Sequence, residues 1–268
     1  MTILQRINPA WWELIRVTAR EFYAYRAQIP LSCLIFLVQF YVLRVVWEAA
    51  YAGRSEVDGI SEQVLLIYLT LSALHRVYFS EVIAWTIQQR VSTGAVAHDL
   101  VRPFGFLKQM MALQIGSTIS RLAFLIILGP AAAVVGSLDP PAPANLGLYL
   151  ASLLLAWIVN MLIWMHIGLL SFWVVHVNGI RAMFAVANGF LVGALVPLWL
   201  MPDALRIVLQ ALPFQATVFL PVSIYTEQQT GRDVLLPLLQ QAGWIGLLVF
   251  TANAVWRRAQ HKIVVQGG

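Results

Sequence analysis

Apolar residues gather along the chain into six long runs, near 30–51, 63–85, 113–137, 147–175, 182–201 and 234–256, separated by shorter polar or proline-broken stretches. Each run is close to the roughly 20 residues an α-helix needs to cross about 30 Å of hydrocarbon, so the pattern predicts six transmembrane helices. Ahead of the first run, Asn8-Pro9 reads as an N-cap followed by proline at the first helical position. Trp11, Leu14, Ile15, Thr18, Phe22 and Tyr25 then recur at helical spacing, with Arg16 and Arg20 on the other face. This predicts an interfacial helix on the cytoplasmic leaflet, anchored by its tryptophans and arginines.

Between the fifth and sixth runs the chain stays apolar but is interrupted by Pro202, Pro213, Pro221 and Pro237, and Asp203 is placed to cap a short helix ending near Leu212. The stretch from Ala216 to Tyr225 is too short to cross the membrane. Irregular backbone at membrane depth needs protein or a wet cavity to satisfy it. The expectation is therefore an external pair of short, partly re-entrant helices that contains Pro213, Phe214 and Pro221.

Composition supports a membrane solvent: 60% of the residues are hydrophobic and 11% charged, against roughly 45–50% and about 25% in soluble domains. A soluble single-core enzyme is excluded. The expected fold class is an all-α integral membrane protein forming one transmembrane domain over residues 1–268: an interfacial segment 1–28, a six-helix core 29–256 and a cytoplasmic tail 257–268. Ala50-Tyr51-Ala52 mimics a signal-peptidase site, but the run before it is too long for a signal sequence and contains Arg44, so it reads as a retained helix. The lone cysteine, Cys33, lies in the first run and allows no intrachain disulfide.

The 17 Lys and Arg against 12 Asp and Glu would suggest nucleic acid in a soluble chain. Here their placement matters more. With a cytoplasmic N-terminus, Arg6, Arg16, Arg20 and Arg26, then Arg90, Arg102 and Lys108, then Arg181, and finally Arg257, Arg258 and Lys262 all fall inside. Most of the acidic residues, including Glu56, Asp58, Asp139, Asp203 and Glu227, fall outside. The positive-inside bias thus puts both termini in the cytoplasm. Membrane lipids are expected partners and nucleic acid is not.

A transporter driven by its own nucleotide hydrolysis needs a glycine-rich loop with a lysine to cradle the phosphates. The two lysines, Lys108 and Lys262, sit in no such setting. Nor does the chain carry a Gly-x-Ser-x-Gly, a His-Glu-x-x-His or a cluster of carboxylates, and its five histidines are scattered. No catalytic, cofactor-binding or metal site is expected on this chain.

The segment after the second run reads Gln89-Arg90-Val91-Ser92-Thr93-Gly94-Ala95-Val96-Ala97-His98-Asp99-Leu100-Val101-Arg102-Pro103. Thr93 is placed to cap a short helix from Gly94, and Arg102, preceding proline, is biased out of helical geometry. A two-turn helix across the inner face is predicted. In Val91, Thr93-Gly94, Val96, Leu100 and Arg102-Pro103 the chain resembles permease subunits of ABC-2 type exporters, in the branch of six-span proteins of about 260 residues. Leu212-Pro213-Phe214, Pro221 and the terminal Gln266-Gly267-Gly268 agree with that resemblance.

What the resemblance implies is a half-transporter of the cytoplasmic membrane of a bacterium, paired with a second copy or a related six-span permease. Each permease would dock a separate P-loop ATPase subunit, two per complex, which would carry the ATP and Mg. The coupling segment would comprise Thr93, Gly94, Val96, Asp99, Leu100, Arg102 and Pro103. Export from the cytoplasm follows from the same resemblance, and an apolar lining would favour a hydrophobic or amphiphilic cargo. An ion-gradient carrier and a noncatalytic scaffold subunit are the rival readings.

Charges at membrane depth are costly and need partners or a wet cavity. Arg44 and Glu48, four apart, can pair near the outer surface. Glu81 and Arg121 fall at comparable depths in neighbouring runs, which predicts a bridge between them. Arg76 has no obvious mate and is expected either to line a cavity or subunit interface or to be held structurally.

Overall fold

The computed structural model describes residues 9–24, 29–57, 59–136, 138, 140–174, 177–229 and 231–266. Arg6, Asn8, Tyr25, Arg26, Asp58, Asp139, His176 and the terminal Gly267-Gly268 lie outside the described residues. Eleven α-helices follow one another among them: α1 (Pro9–Ala24), α2 (Ile29–Tyr51), α3 (Glu62–Tyr78), α4 (Val82–Ser92), α5 (Val96–Leu100), α6 (Phe106–Gly136), α7 (Pro143–Leu169), α8 (Val177–Leu191), α9 (Asp203–Gln210), α10 (Phe219–Tyr225) and α11 (Leu235–Gln266). A minimal antiparallel hairpin, β1 (Glu56–Val57) and β2 (Ile60–Ser61), closes the α2–α3 connection.

The protein is an all-α membrane protein. The stretches Cys33–Tyr51, Pro143–Phe172 and Leu235–Lys262 are each long and apolar enough to cross a membrane. α7 is the central helix, packed against α4, α10 and α11. Val159 and Ile163 of α7 join Leu65, Tyr68 and Leu69 of α3 in one buried cluster. Met161, Leu162 and Met165 join Ile83 and Ile87 of α4, Met110 of α6 and Trp256 of α11 in another. A helix apolar on all sides is suited to such a position.

Glycines set two of the close contacts. A Cβ on Gly168 would lie 2.9 Å from Ala84 Cα, so α4 and α7 approach at the small-residue spacing that membrane helices use. A Cβ on Gly116 would lie 2.6 Å from the Ile15 carbonyl oxygen, which fixes α1 against α6. Trp11 Nε1 also donates to the Lys108 carbonyl at 3.0 Å. With 11 beside 108 and 15 beside 116, α1 runs in the same direction as the first turns of α6. Ile15 is buried in that contact, while Arg16 and Arg20 point away.

Three expectations are corrected. The second run is not one helix over 63–85: α3 ends at Tyr78 and α4 begins at Val82. The break frees backbone donors, and a side chain from α6 takes one of them. Ile83 N donates to Gln114 Oε1 at 2.9 Å, and Gln114 Nε2 donates to Ser80 Oγ at 3.0 Å. The fifth helix stops at Leu191 rather than continuing to 201, because Gly193 adopts a left-handed φ of 80°. A Cβ there would meet Leu198 Cδ1 at 2.6 Å and the Tyr68 hydroxyl at 3.0 Å, so only glycine fits this turn. Asp203 is not the cap of α9: Pro202 holds that position, and Asp203 lies inside the first turn, paired with Arg206.

Candidate functional site

The 93–103 loop grows directly out of α4. Thr93 Oγ1 donates to the Gln89 carbonyl at 2.7 Å, and Gly94 turns left-handed with φ of 73°. Both features end a helix. Thr93 therefore caps backward onto α4 instead of starting the next helix at Gly94, and α5 begins after Ala95 with no side-chain cap. Because the glycine turn uses residues that a longer helix would need, α5 is a five-residue turn rather than the two turns expected.

Its inward side is locked. Val96 is buried among Ile83, Ile87, Phe106 and Met110. Asp99 is fully buried, and its Oδ1 accepts from Arg90 Nη1 at 2.6 Å, with Arg102 Nη1 at 3.5 Å. Gln109, from the first turn of α6, donates to the carbonyls of Asp99 at 2.7 Å and Phe104 at 2.9 Å, and accepts from Arg102 at 3.3 Å. A buried carboxylate tied this way loses about 3–5 kcal/mol of stability when its partner is removed.

The outward side presents Thr93, Gly94, Ala97, His98, Leu100, Val101 and Pro103. Val101, 84% exposed, is its apolar tip. Grooves flank the tip on two sides. One, of about 330 Å³, runs between Leu100–Phe106 and α11, where Phe106 stacks on Trp256 at 4.5 Å. The other, of about 480 Å³, lies between Arg102–Phe104 and the Glu13–Val17 face of α1.

At the other end of α4 the charged side chains meet. Arg76, Glu81 and Arg121 all line one cavity of about 590 Å³ at the α3–α4 break. The expected Glu81–Arg121 bridge is not the ion pair that forms. Glu81 Oε1 instead accepts from Arg181 Nη1 of α8 at 2.6 Å, an approach between residues a hundred positions apart in sequence. Arg76 and Arg121 make no ion pair among the described residues. The Arg44–Glu48 pair forms at 2.6 Å.

The segment before the last helix turns inward to the same cavity. Pro213 opens a 3₁₀ turn over Pro213–Ala216, Phe214 packs against Phe184 of α8, and α10 with Pro221 is buried against α7 and α3. Gln241 of α11 satisfies the backbone there, donating to the Ala216 carbonyl at 2.8 Å and the Ser152 carbonyl at 3.1 Å. Thr217 and Val218 then form part of the cavity wall.

Sequence reasoning did not single out Arg181, Gln109, Gln114 or Asn160 as site residues. Arg181 and Gln114 meet partners distant in sequence, Gln109 braces the neighbouring loop, and Asn160 reaches the site only through the packing of α7. Two of the histidines serve packing: His75 Nε2 lies 2.9 Å from the Tyr149 hydroxyl, and His166 Nε2 lies 2.9 Å from Thr251 Oγ1. No three His, Cys, Asp or Glu side chains converge among the described residues.

A bundle of apolar helices around a charged cavity, with a braced loop projecting from one end, is the architecture of a multi-pass membrane protein. The family model described as ABC-2 family transporter protein matches residues 34–267, and the chain belongs to that family. It is a transport membrane subunit of the ABC-2 type. No curated protein matches it.

Proposed function

We propose that the chain is the membrane half of an ATP-driven exporter in the cytoplasmic membrane of a bacterium, with both termini in the cytoplasm. It works as a pair with a second copy or a related permease, each holding one P-loop ATPase subunit that binds ATP and Mg. The observation that supports this reading most is the construction of the 93–103 loop. Its buried side is pinned by Asp99, Val96 and Gln109, and its exposed side offers Leu100, Val101 and Pro103 between two grooves. A rigid projection transmits force, whereas a solvated loop absorbs it. Motion of the ATPases on this hook would move α4 as a lever, and Glu81, the cap at its far end, lines the cavity. Exposure of that cavity would then alternate between the two sides of the membrane.

The test is purification of the chain with a co-purifying P-loop ATPase and reconstitution of the complex. Val101→Asp should reduce the affinity for the ATPase at least about tenfold, since a buried charge at a docking hot spot costs more than 1.4 kcal/mol. An unchanged affinity would contradict the proposal. The helix break at Glu81 is the feature an ion-coupled carrier would use. Under that reading Glu81→Gln abolishes pH-driven uptake by vesicles containing this chain alone. Under the exporter reading such vesicles show no uptake to abolish.

A further inference from the structure

The cavity at the α3–α4 break holds more positive charge than it neutralises. Among the described residues Glu81 is the one carboxylate in its wall, and Arg181 engages its Oε1 at 2.6 Å. Arg76 of α3 and Arg121 of α6 face the same space without an ion pair among the described residues. Asn160 of α7, 4% exposed, also lines the cavity, and its Nδ2 has no hydrogen-bond partner. Against these three donor groups, two of them permanently charged, stands one spare acceptor, Glu81 Oε2, whose charge also acts on Arg121. Unpaired guanidinium groups at membrane depth are costly to keep and mark functional positions.

The rest of the wall is mixed: Ser80, Asn188 and Thr217 add polar groups, Phe79, Trp164 and Val192 are apolar, and the apolar Val186 and Leu195 are exposed at its edge. A volume of about 590 Å³ is within the range of small-molecule sites. Resting on the permease reading, we infer that the transported substrate is an amphiphile with an anionic headgroup, a phosphate or a carboxylate. Arg76, Arg121 and Asn160 hold the headgroup, and the hydrocarbon tail leaves past Val186 and Leu195. Arginine suits this role because its planar fork donates two hydrogen bonds to one anionic group.

The test needs no ATPase, so its failure leaves the coupling proposal standing. The purified chain in discs of zwitterionic lipid is titrated below micellar concentration with dodecyl phosphate, dodecanoate and dodecyltrimethylammonium, following tryptophan fluorescence, to which Trp164 in the wall contributes. Both anions should bind saturably and the cation at least about tenfold more weakly; Arg76→Gln and Arg121→Gln should each weaken anion binding about tenfold. Arg76→Lys, which keeps the charge without the fork, should recover only part of the loss, and Arg206→Gln, outside the cavity wall, should change nothing. Arg76 is not buried against the rest of the chain, so its variants carry the test even where Arg121→Gln fails to fold. Equal binding of all three amphiphiles, or anion binding indifferent to Arg76, would overturn the inference. Competition by inorganic phosphate at matching affinity would also overturn it, by making the cavity a site for free anions.

Discussion

The two ends of α4 treat charge in opposite ways. At the Ser92 end, Asp99 is fully buried and its Oδ1 is paired with Arg90 and Arg102, while Gln109 ties down its backbone carbonyl; only Oδ2 lacks a partner among the described residues. At the Val82 end, Glu81 is matched by Arg181, yet Arg76 and Arg121 remain open to a cavity. A closed cluster fixes a shape. An open excess of donors leaves room for something that is not part of the chain. The eleven residues between them form a helix about 16 Å long, held against α7 at Gly168. One helix thus joins the exposed 93–103 loop to the charged cavity.

The sharpest way to break this contrast is Arg90→Ala, which leaves Asp99 buried with only the longer Arg102 contact. Chemical denaturation in detergent should show a loss of about 3–5 kcal/mol, and the same experiment on Arg76→Ala should show far less, because that group is not closed by a partner. Equal losses would erase the distinction between the ends. Next in size, Gly193→Ala should lower stability by about 2–3 kcal/mol, since it adds strain at φ of 80° and a contact of 2.6 Å to Leu198. Thermal unfolding monitored by circular dichroism reads this directly.

Gln114→Leu keeps the volume at the helix break but strands the Ile83 N–H, at a cost of about 1–3 kcal/mol. Faster amide exchange confined to residues around Ile83 is expected; exchange unchanged there would mean that the break is held by something else. Smallest of all, Val101→Ser should alter the stability of the chain alone by less than about 0.5 kcal/mol, as befits an exposed side chain.

The helical layers were legible in the sequence because lipid-facing and core helices share one requirement, a sustained apolar run. The early stop of α8 had a local signal in Gly193 and Pro197, which the apolar run concealed. The Thr93-Gly94 pair was read as a beginning when its glycine makes it an ending; threonine serves either role, and only the left-handed glycine decides. The break at Phe79-Ser80-Glu81 had no glycine or proline to announce it. It exists because Gln114, on another helix, supplies the missing hydrogen bonds. The partner of Glu81 was hidden for the same reason: Arg181 belongs to α8, and no spacing rule links residues that far apart. The 93–103 loop was legible as a segment; the partners of its buried Asp99, Arg90 and Arg102, lie in the same stretch, but only the fold shows that they close on it and that Gln109 of α6 braces its backbone.

The direct test of force transmission through the loop is a cross-link from its tip. In a Cys33→Ala background, Val101→Cys is treated with a thiol-to-amine cross-linker of short reach in the assembled complex, with Ala211→Cys at the opposite end of the molecule as the comparison. The expected product joins Val101→Cys, and not Ala211→Cys, to the ATPase subunit, and its formation arrests ATP-dependent transport. Capture of the ATPase by Ala211→Cys, or none by Val101→Cys in a complex that still transports, would contradict a coupling role for this loop.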